Sequence, residues 1–253
     1  MEEELVEVLQ KFALSEKEVG STLLDLGDLD EGITECQGSV IGKIRGEKIV
    51  NFTGVKNFVT VAWSYPKGLK VAELGPNVFQ FTIPDSKDKE RIVEGGPWII
   101  DNQILVLRHW KIGIEEDEDA FSLAPVWVQV WNLPIHCLSK AVGKKVGTIF
   151  NEVKDVLIPQ TGGKEGKHMK LLVVVDIKQP LLRGTMVQIN GMGKWLSYKY
   201  EKCPDFYYSY GVIGHSEKNC KFPVLVKKGQ YQNQYGPWMG CLGEEALLKK
   251  RGV

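Results

Sequence analysis

The amino-acid sequence predicts an α+β chain: a ferredoxin-like βαββαβ domain, an arrangement also used by RNA-recognition modules, then a smaller β-rich α+β domain. Three features lead there. Between Ser39 and Trp110 the apolar residues switch between period-two and helical spacing in the order strand, helix, strand, strand, helix, strand. The acidic run Glu115-Glu116-Asp117-Glu118-Asp119 then interrupts the pattern. From Val126 to Tyr200 short strands alternate with Gly- and Pro-bearing turns around a single helix.

Taken in order, Glu2 to about Val19 mixes Leu5, Val6, Leu9 and Phe12 with acidic residues, which predicts a short amphipathic helix ending near Gly20, followed by a loop. Ser39–Ile44 reads as a strand. Asn51–Ser64 places Val55, Phe58, Val59 and Ala62 on one helical face. Leu69–Leu74 and Val78–Ile83 alternate across Gly75-Pro76-Asn77, a hairpin signature. Asp85 or Ser86 caps a helix from Lys87 to about Gly95, which stops at Gly95-Gly96-Pro97, and Gln103–Trp110 is the closing strand. On the inner hairpin strand, Phe79 and Phe81 sit where an RNA-recognition module shows aromatics to solvent. They can equally face the helices, and the acidic surroundings favour the helices.

The acidic run is expected to be a solvated linker, because like charges resist packing. Beyond it, Val126–Trp131 is a strong strand, Asn132-Leu133-Pro134 a turn, and Ser139–Val153 a helix. Strands follow at Asp155–Ile158, Lys170–Ile177, Met186–Ile189 and Lys194–Tyr200, with Thr161–Lys167 as a loop.

No run of about 18 apolar residues occurs, and Met1-Glu2-Glu3-Glu4 is acidic where a signal peptide would be positive. The expectation is a soluble intracellular chain, nuclear or cytoplasmic, with no membrane partner. Five scattered cysteines in a chain of this size fit reduced thiols. The zero formal net charge hides an asymmetry: residues 160–253 hold 15 Lys+Arg against 7 Asp+Glu, leaving 17 against 25 for residues 1–159, so the two parts carry +8 and −8. A basic C-terminal part suits a polyanion through phosphate neutralisation, although solvated lysines on any surface would read the same way.

Several phrases together resemble a plant family, the domain of unknown function that precedes a zinc knuckle in LINE-type retroelement proteins and their host-resident relatives. They are Asp88-Lys89-Glu90-Arg91-Ile92-Val93-Glu94-Gly95-Gly96-Pro97-Trp98, Leu105-Val106-Leu107-Arg108-His109-Trp110, Val126-Trp127-Val128-Gln129-Val130-Trp131-Asn132-Leu133-Pro134, Pro180-Leu181-Leu182-Arg183-Gly184, the stretch Tyr200 to Cys220, and Gln234-Tyr235-Gly236-Pro237-Trp238. The resemblance implies nucleic-acid binding and a C-x2-C-x4-H-x4-C zinc knuckle. In this chain that register falls on Tyr207, Tyr210, His215 and Cys220, with Gly211, Gly214 and Tyr208 around them.

Two thiolates are thus replaced by phenols. A structural zinc site contributes roughly 10–16 kcal/mol through four deprotonated ligands. Half a site cannot supply that, and a neutral tyrosine competes poorly with thiolate. Zinc is the cofactor the resemblance implies, held here by the retained pair His215 and Cys220. Cys203 lies four residues before the first ligand position and would need a rearranged loop to serve. The expected division is 1–37, helix and loop; 38–114, the ferredoxin-like domain; 115–124, the acidic linker; 125–200, the β-rich domain; 201–224, the degenerate CCHC knuckle; and 225–253, a basic tail.

Losing the metal leaves other sources of affinity, since aromatic faces stack on bases and lysines meet phosphates. Lys199, Lys202, Phe206, Tyr207, Tyr208, Tyr210, Lys218 and Lys221 interleave both kinds, and Tyr198 and Tyr200 flank Lys199. The alternative is that these aromatics close a small core. None of the four histidines, His109, His136, His168 and His215, has a catalytic spacing, and Gly162-Gly163-Lys164-Glu165-Gly166-Lys167 fails the phosphate-loop pattern. The chain reads as a non-enzymatic binder of single-stranded nucleic acid with no small-molecule substrate. The alternative is a degenerate protein-interaction module.

Overall fold

The computed structural model describes residues 24–159, 167–204, 206, 211–214 and 235–241. The chain divides into two compact units, Met1–Gln37 and Gly38–Val253. The helix expected at 2–19 lies outside the described residues, as does the loop 161–166. In the first unit a helix, α1 (Leu26–Cys36), occupies part of the stretch expected as loop. It starts with a capping box: the Asp28 N–H donates to Asp25 Oδ1 (3.1 Å) and the Asp25 N–H to Asp28 Oδ2 (3.0 Å), which satisfies two donors near the helix start.

The second unit opens with β1 (Ser39–Arg45), α2 (Phe52–Ala62), β2 (Lys70–Gly75), β3 (Val78–Thr82), α3 (Ser86–Glu94), β4 (Trp98–Ile100) and β5 (Gln103–His109). Side chains set the helix starts. Asn51 Oδ1 accepts from the Thr53 N–H (2.8 Å) and Asp85 Oδ1 from the Asp88 N–H (2.8 Å). Asn77 takes a left-handed turn (φ 60°) between β2 and β3, and its amide binds the Val50 N–H (2.9 Å) and the Lys48 carbonyl (2.8 Å). The closing strand expected after Gly95-Gly96-Pro97 is preceded by a short one: β4 and β5 form a hairpin through Asp101 and Asn102, both at positive φ (47° and 60°). The sheet order is β2-β3-β1-β5-β4, with every neighbouring pair antiparallel.

The second sheet comprises β6 (Leu123–Trp131), β7 (Glu152–Leu157), β8 (Met169–Asp176), β9 (Gly184–Ile189), β10 (Met192–Glu201) and β11 (Gly240–Cys241). Its path is β11-β10-β6-β8-β7 with β9 on β10, antiparallel except for the parallel β10–β11 pair. This part was expected to be the smaller one and to end at residue 200, yet its sheet has more described strands than the first and recruits β11 from the tail. The helix expected at 139–153 is shorter: α4 (Lys140–Val146) gives way to a 3-10 turn at Gly147–Ile149, and Glu152 and Val153 already belong to β7. Close packing explains this. A methyl group on Gly143 would strike Val156 and Met169, and one on Gly147 would strike Val153, so the glycines let the short helix lie directly on β7 and β8.

Alternation sorts the first sheet into two faces. Val40, Ile44, Phe79, Phe81, Leu105 and Leu107 form one core with Val55, Val59, Trp63 and Ile92 of α2 and α3. Phe79 and Phe81 are therefore wholly buried on the helix side. On the opposite face, Ile41, Ile104 and Val106 join a second core with Val126, Val128 and Val130 of β6, Leu171 and Val173 of β8, and Leu196, Tyr198 and Tyr200 of β10. The two sheets thus share one apolar layer.

In the stretch 115–124, expected to be a solvated linker, Glu115, Glu116, Glu118 and Asp119 are exposed, but Phe121, which follows them, is packed. A 3-10 turn, Asp119–Phe121, lies between the two sheets in sequence, and Phe121 is fully buried in the shared core beside Ile114. Glu118 binds Lys43 and, at 2.8 Å, Arg45, both on β1. Arg108 donates to the Ala120 carbonyl (2.7 Å) and the Leu123 carbonyl (2.6 Å). Of the neighbouring charges, Asp117 pairs with Lys111 (3.5 Å) and Asp119 with Lys178 (2.5 Å), so cations from three segments offset the run.

Candidate nucleic-acid interface

β10 alternates Trp195, Ser197, Lys199 and Glu201 outward with Leu196, Tyr198 and Tyr200 inward. Tyr198 and Tyr200, considered above as possible stacking residues, are core residues. Burial pushes the Tyr198 phenol up to about 12 and the Tyr200 phenol well above its ordinary range. The Tyr200 hydroxyl donates to the Leu182 carbonyl (2.8 Å).

Of the eight residues expected to meet nucleic acid, Lys199, Lys202 and Phe206 are described. Lys199 lies on the outer face with Nζ 4.7 Å from the Trp131 ring centroid. Lys202 is exposed just past the strand end, in a left-handed conformation (φ 46°). Phe206 pairs with Ile213 in an isolated antiparallel bridge and packs part of its ring against the core, so it is not a free stacking face. Tyr207, Tyr208, Tyr210, Lys218 and Lys221 lie outside the described residues, as do His215 and Cys220.

Two of the segments carrying the sequence phrases, 180–184 and 234–238, meet the turn at 211–214. Gly211 and Gly214 both adopt positive φ (74° and 89°), which an L side chain resists. The Leu181 N–H donates to the Gly211 carbonyl (2.8 Å). The Tyr235 ring fills the space beside Gly211, and the Arg183 guanidinium stands 5.6 Å from the Tyr235 ring centroid. Ile213 and Met239 are buried in the shared core. The turn is therefore held by apolar contacts, one backbone hydrogen bond and the returning segment 235–241.

The donor set does not fit a four-ligand zinc site, since phenols stand at two of the four register positions. Cys203 packs partly against the core. Among the described residues no three of His, Cys, Asp or Glu are grouped to hold a metal.

Other chemistry-bearing groups are dispersed. His109 Nε2 is 3.4 Å from Glu90 Oε2, beside a cleft of about 320 Å³ that Glu94, Glu152 and Lys154 also line. That lining holds no hydroxyl or thiol. His168 stacks on Trp131, and His136 lies exposed in a 3-10 turn, Ile135–Cys137. The outward residues Trp131 and Trp195 were not singled out from the sequence as site residues. The signal was present in the alternation of 195–201, where inward Leu196, Tyr198 and Tyr200 force their neighbours outward.

Residues 32–116 match the family model described as a domain of unknown function (DUF4283), and residues 175–222 match the CCHC zinc-knuckle model. No curated protein matches the chain. Among solved structures, the crystal structure of the N-terminal three RNA-binding domains of the yeast splicing factor Prp24 is similar at 9% identity and a TM-score of 0.25, covering 65% of this chain and 66%, just under two thirds, of that one. No described helix is long and apolar enough to cross a membrane.

Proposed function

We propose that the chain is a non-enzymatic binder of single-stranded nucleic acid, with affinity concentrated in its basic C-terminal part. The observation that carries this reading is the knuckle-matching segment itself. Its glycine turn is folded against the core, and the strand leading into it presents Lys199 outward and Lys202 at its end. Zinc knuckles are among the modules that recognise RNA, and lysines that neutralise phosphates supply affinity that needs no metal. Because two ligand positions are phenols, binding is assigned to side chains and not to zinc.

We read the first sheet as ferredoxin-like from its β2-β3-β1-β5 order with two helices on one side. In RNA-recognition modules the open face of that sheet stacks bases. Here Ile41, Ile104 and Val106 on that face pack against the second sheet, which leaves recognition to the C-terminal part. The order of the two matched segments is also that of the LINE-type retroelement family the sequence resembles, and a retroelement origin is part of the same proposal.

The test is binding of the purified full chain to a short unstructured RNA at low and moderate salt, with and without a zinc chelator. Tight, salt-sensitive, chelator-indifferent binding is the expected result. Binding abolished by the chelator would show that zinc is retained. Absence of binding at low salt would favour the second reading, a protein-interaction module, for which the exposed Val61 and Tyr65 around the end of α2 are the supporting observation.

A further inference from the structure

We infer that the outer face of the second sheet, centred on Trp195 and bordered by Lys199, is a base-stacking platform for a single-stranded polynucleotide. This rests on the nucleic-acid reading above and names the surface that would carry it.

Trp195 is a large apolar side chain held in the open, 47% exposed, while its neighbour Leu196 is wholly buried. Its indole lies against the backbone of the adjacent strand at Gly184, where any side chain would overlap the ring. The glycine therefore makes room for the ring against the strand, and contact on that side leaves a base stacking on the exposed side less side-chain entropy to remove. Met186, its cross-strand partner, is also exposed.

One strand over, Trp131 stands opposite Ser197 on the same face. It is also pinned: its Nε1–H donates to Gln129 Oε1 (3.0 Å), the His168 ring stacks on it at 4.5 Å and 22°, and the Lys199 ammonium approaches at 4.7 Å. Trp195, Ser197 and Lys199 follow one another along β10 at about 6.6–6.8 Å per pair of residues. The row thus offers a ring, a hydroxyl and an ammonium in sequence.

The chemistry selects the occupant. A flat ring stacks on any base, Lys199 suits a phosphate, and the Ser197 hydroxyl with the Asn132 amide, hydrogen-bonded at 3.2 Å, can meet base edges. The one carboxylate in this row of β10, Glu201, is held by Lys170 (2.7 Å) and Gln129 (2.6 Å), so its charge is offset locally. The part of the chain from residue 160 onward carries +8 in sequence, which suits a polyanion.

The experiment compares the dissociation constant of a short unstructured RNA for the wild-type full chain and three variants, with the thermal midpoint of each recorded. Trp195→Ala is expected to weaken binding roughly 5- to 150-fold, the loss of one base–aromatic stack. Trp195→Phe, which keeps a ring, is expected to stay within a few-fold of wild type. Tyr65→Asn, which removes an exposed aromatic elsewhere at a left-handed position that Asn tolerates (φ 55°), is expected to leave binding unchanged. Wild-type binding that persists undiminished in Trp195→Ala would overturn this inference while leaving the nucleic-acid reading standing. Failure of the wild type to bind at all would overturn both. Self-association that Trp195→Ala abolishes, with RNA affinity intact, would assign the face to a protein partner and end the proposal.

Discussion

The ring of Tyr235 occupies the space in which a side chain on Gly211 would begin. Gly211→Ala therefore meets two penalties, a left-handed backbone costing roughly 1–2 kcal/mol and displacement of the tyrosine. Thermal unfolding is expected to fall by about 2–4 °C per kcal/mol lost. Combining it with Tyr235→Ala should cost less than the sum of the two single changes, because the second removes the obstacle that the first strikes. Strictly additive losses would show that the two residues do not touch.

Phe121 tests whether the acidic stretch is structural. Fully buried in the layer shared by the two sheets, it should cost about 3–5 kcal/mol when truncated to alanine. Denaturant titration reads this directly. A loss below about 1 kcal/mol, the size typical of a surface change, would return residues 115–124 to the role of spacer.

Glu118 gives the chain an acid-sensitive contact. Lys43, with Arg45 beyond it, holds its carboxyl below the ordinary value. A depressed carboxylate favours the folded state above its unfolded value, near 4.3, and loses that contribution as pH falls through the lower folded value. The Glu118 side chain is 61% exposed, so the effect is small and screened by salt. Stability measured from pH 7 downward should decline less steeply below about pH 4 in Glu118→Gln than in wild type. Parallel acid limbs would remove Glu118 from the account.

Restoring the thiolates tests the ligand register. The double change Tyr207→Cys and Tyr210→Cys is expected to recover one zinc per chain, measured by metal analysis after dialysis, because Cys, Cys, His and Cys then stand at the knuckle spacing. A double variant that stays metal-free would refute the alignment of Tyr207, Tyr210, His215 and Cys220 with the four ligands.

The first sheet was legible because its signals are local. Asn51 and Asp85 mark helix starts, Asn77 marks a turn, and the strands around it alternate. β4 was missed because Trp98–Ile100 merges with the apolar run that follows and its turn, Asp101-Asn102, lacks the glycine that usually announces one. The helix after Ser139 was drawn too long because Val142, Val146, Ile149 and Val153 keep a helical spacing, whereas Gly143 and Gly147 serve close approach to β7 and β8. The contact between sheets was not legible at all. Ile41 and Val106 share their face with Lys43 and Arg108, so it reads as half-polar and solvent-facing, and only the fold shows Glu118 and the Ala120 carbonyl meeting those cations. In the candidate site, composition located the basic aromatic segment but not which aromatics point outward.

The shared apolar layer has a consequence for biosynthesis. Residues 38–109 leave the ribosome with the two helices already able to cover one side of their sheet, while Ile41, Ile104 and Val106 on the other side wait for β6, β8 and β10 to be translated. During that interval the nascent chain carries an uncovered greasy surface and depends on chaperones, or on rapid elongation, to avoid clumping. A gene fragment ending before Val126 would make that interval permanent, so the first sheet cannot be transplanted into another protein without its second.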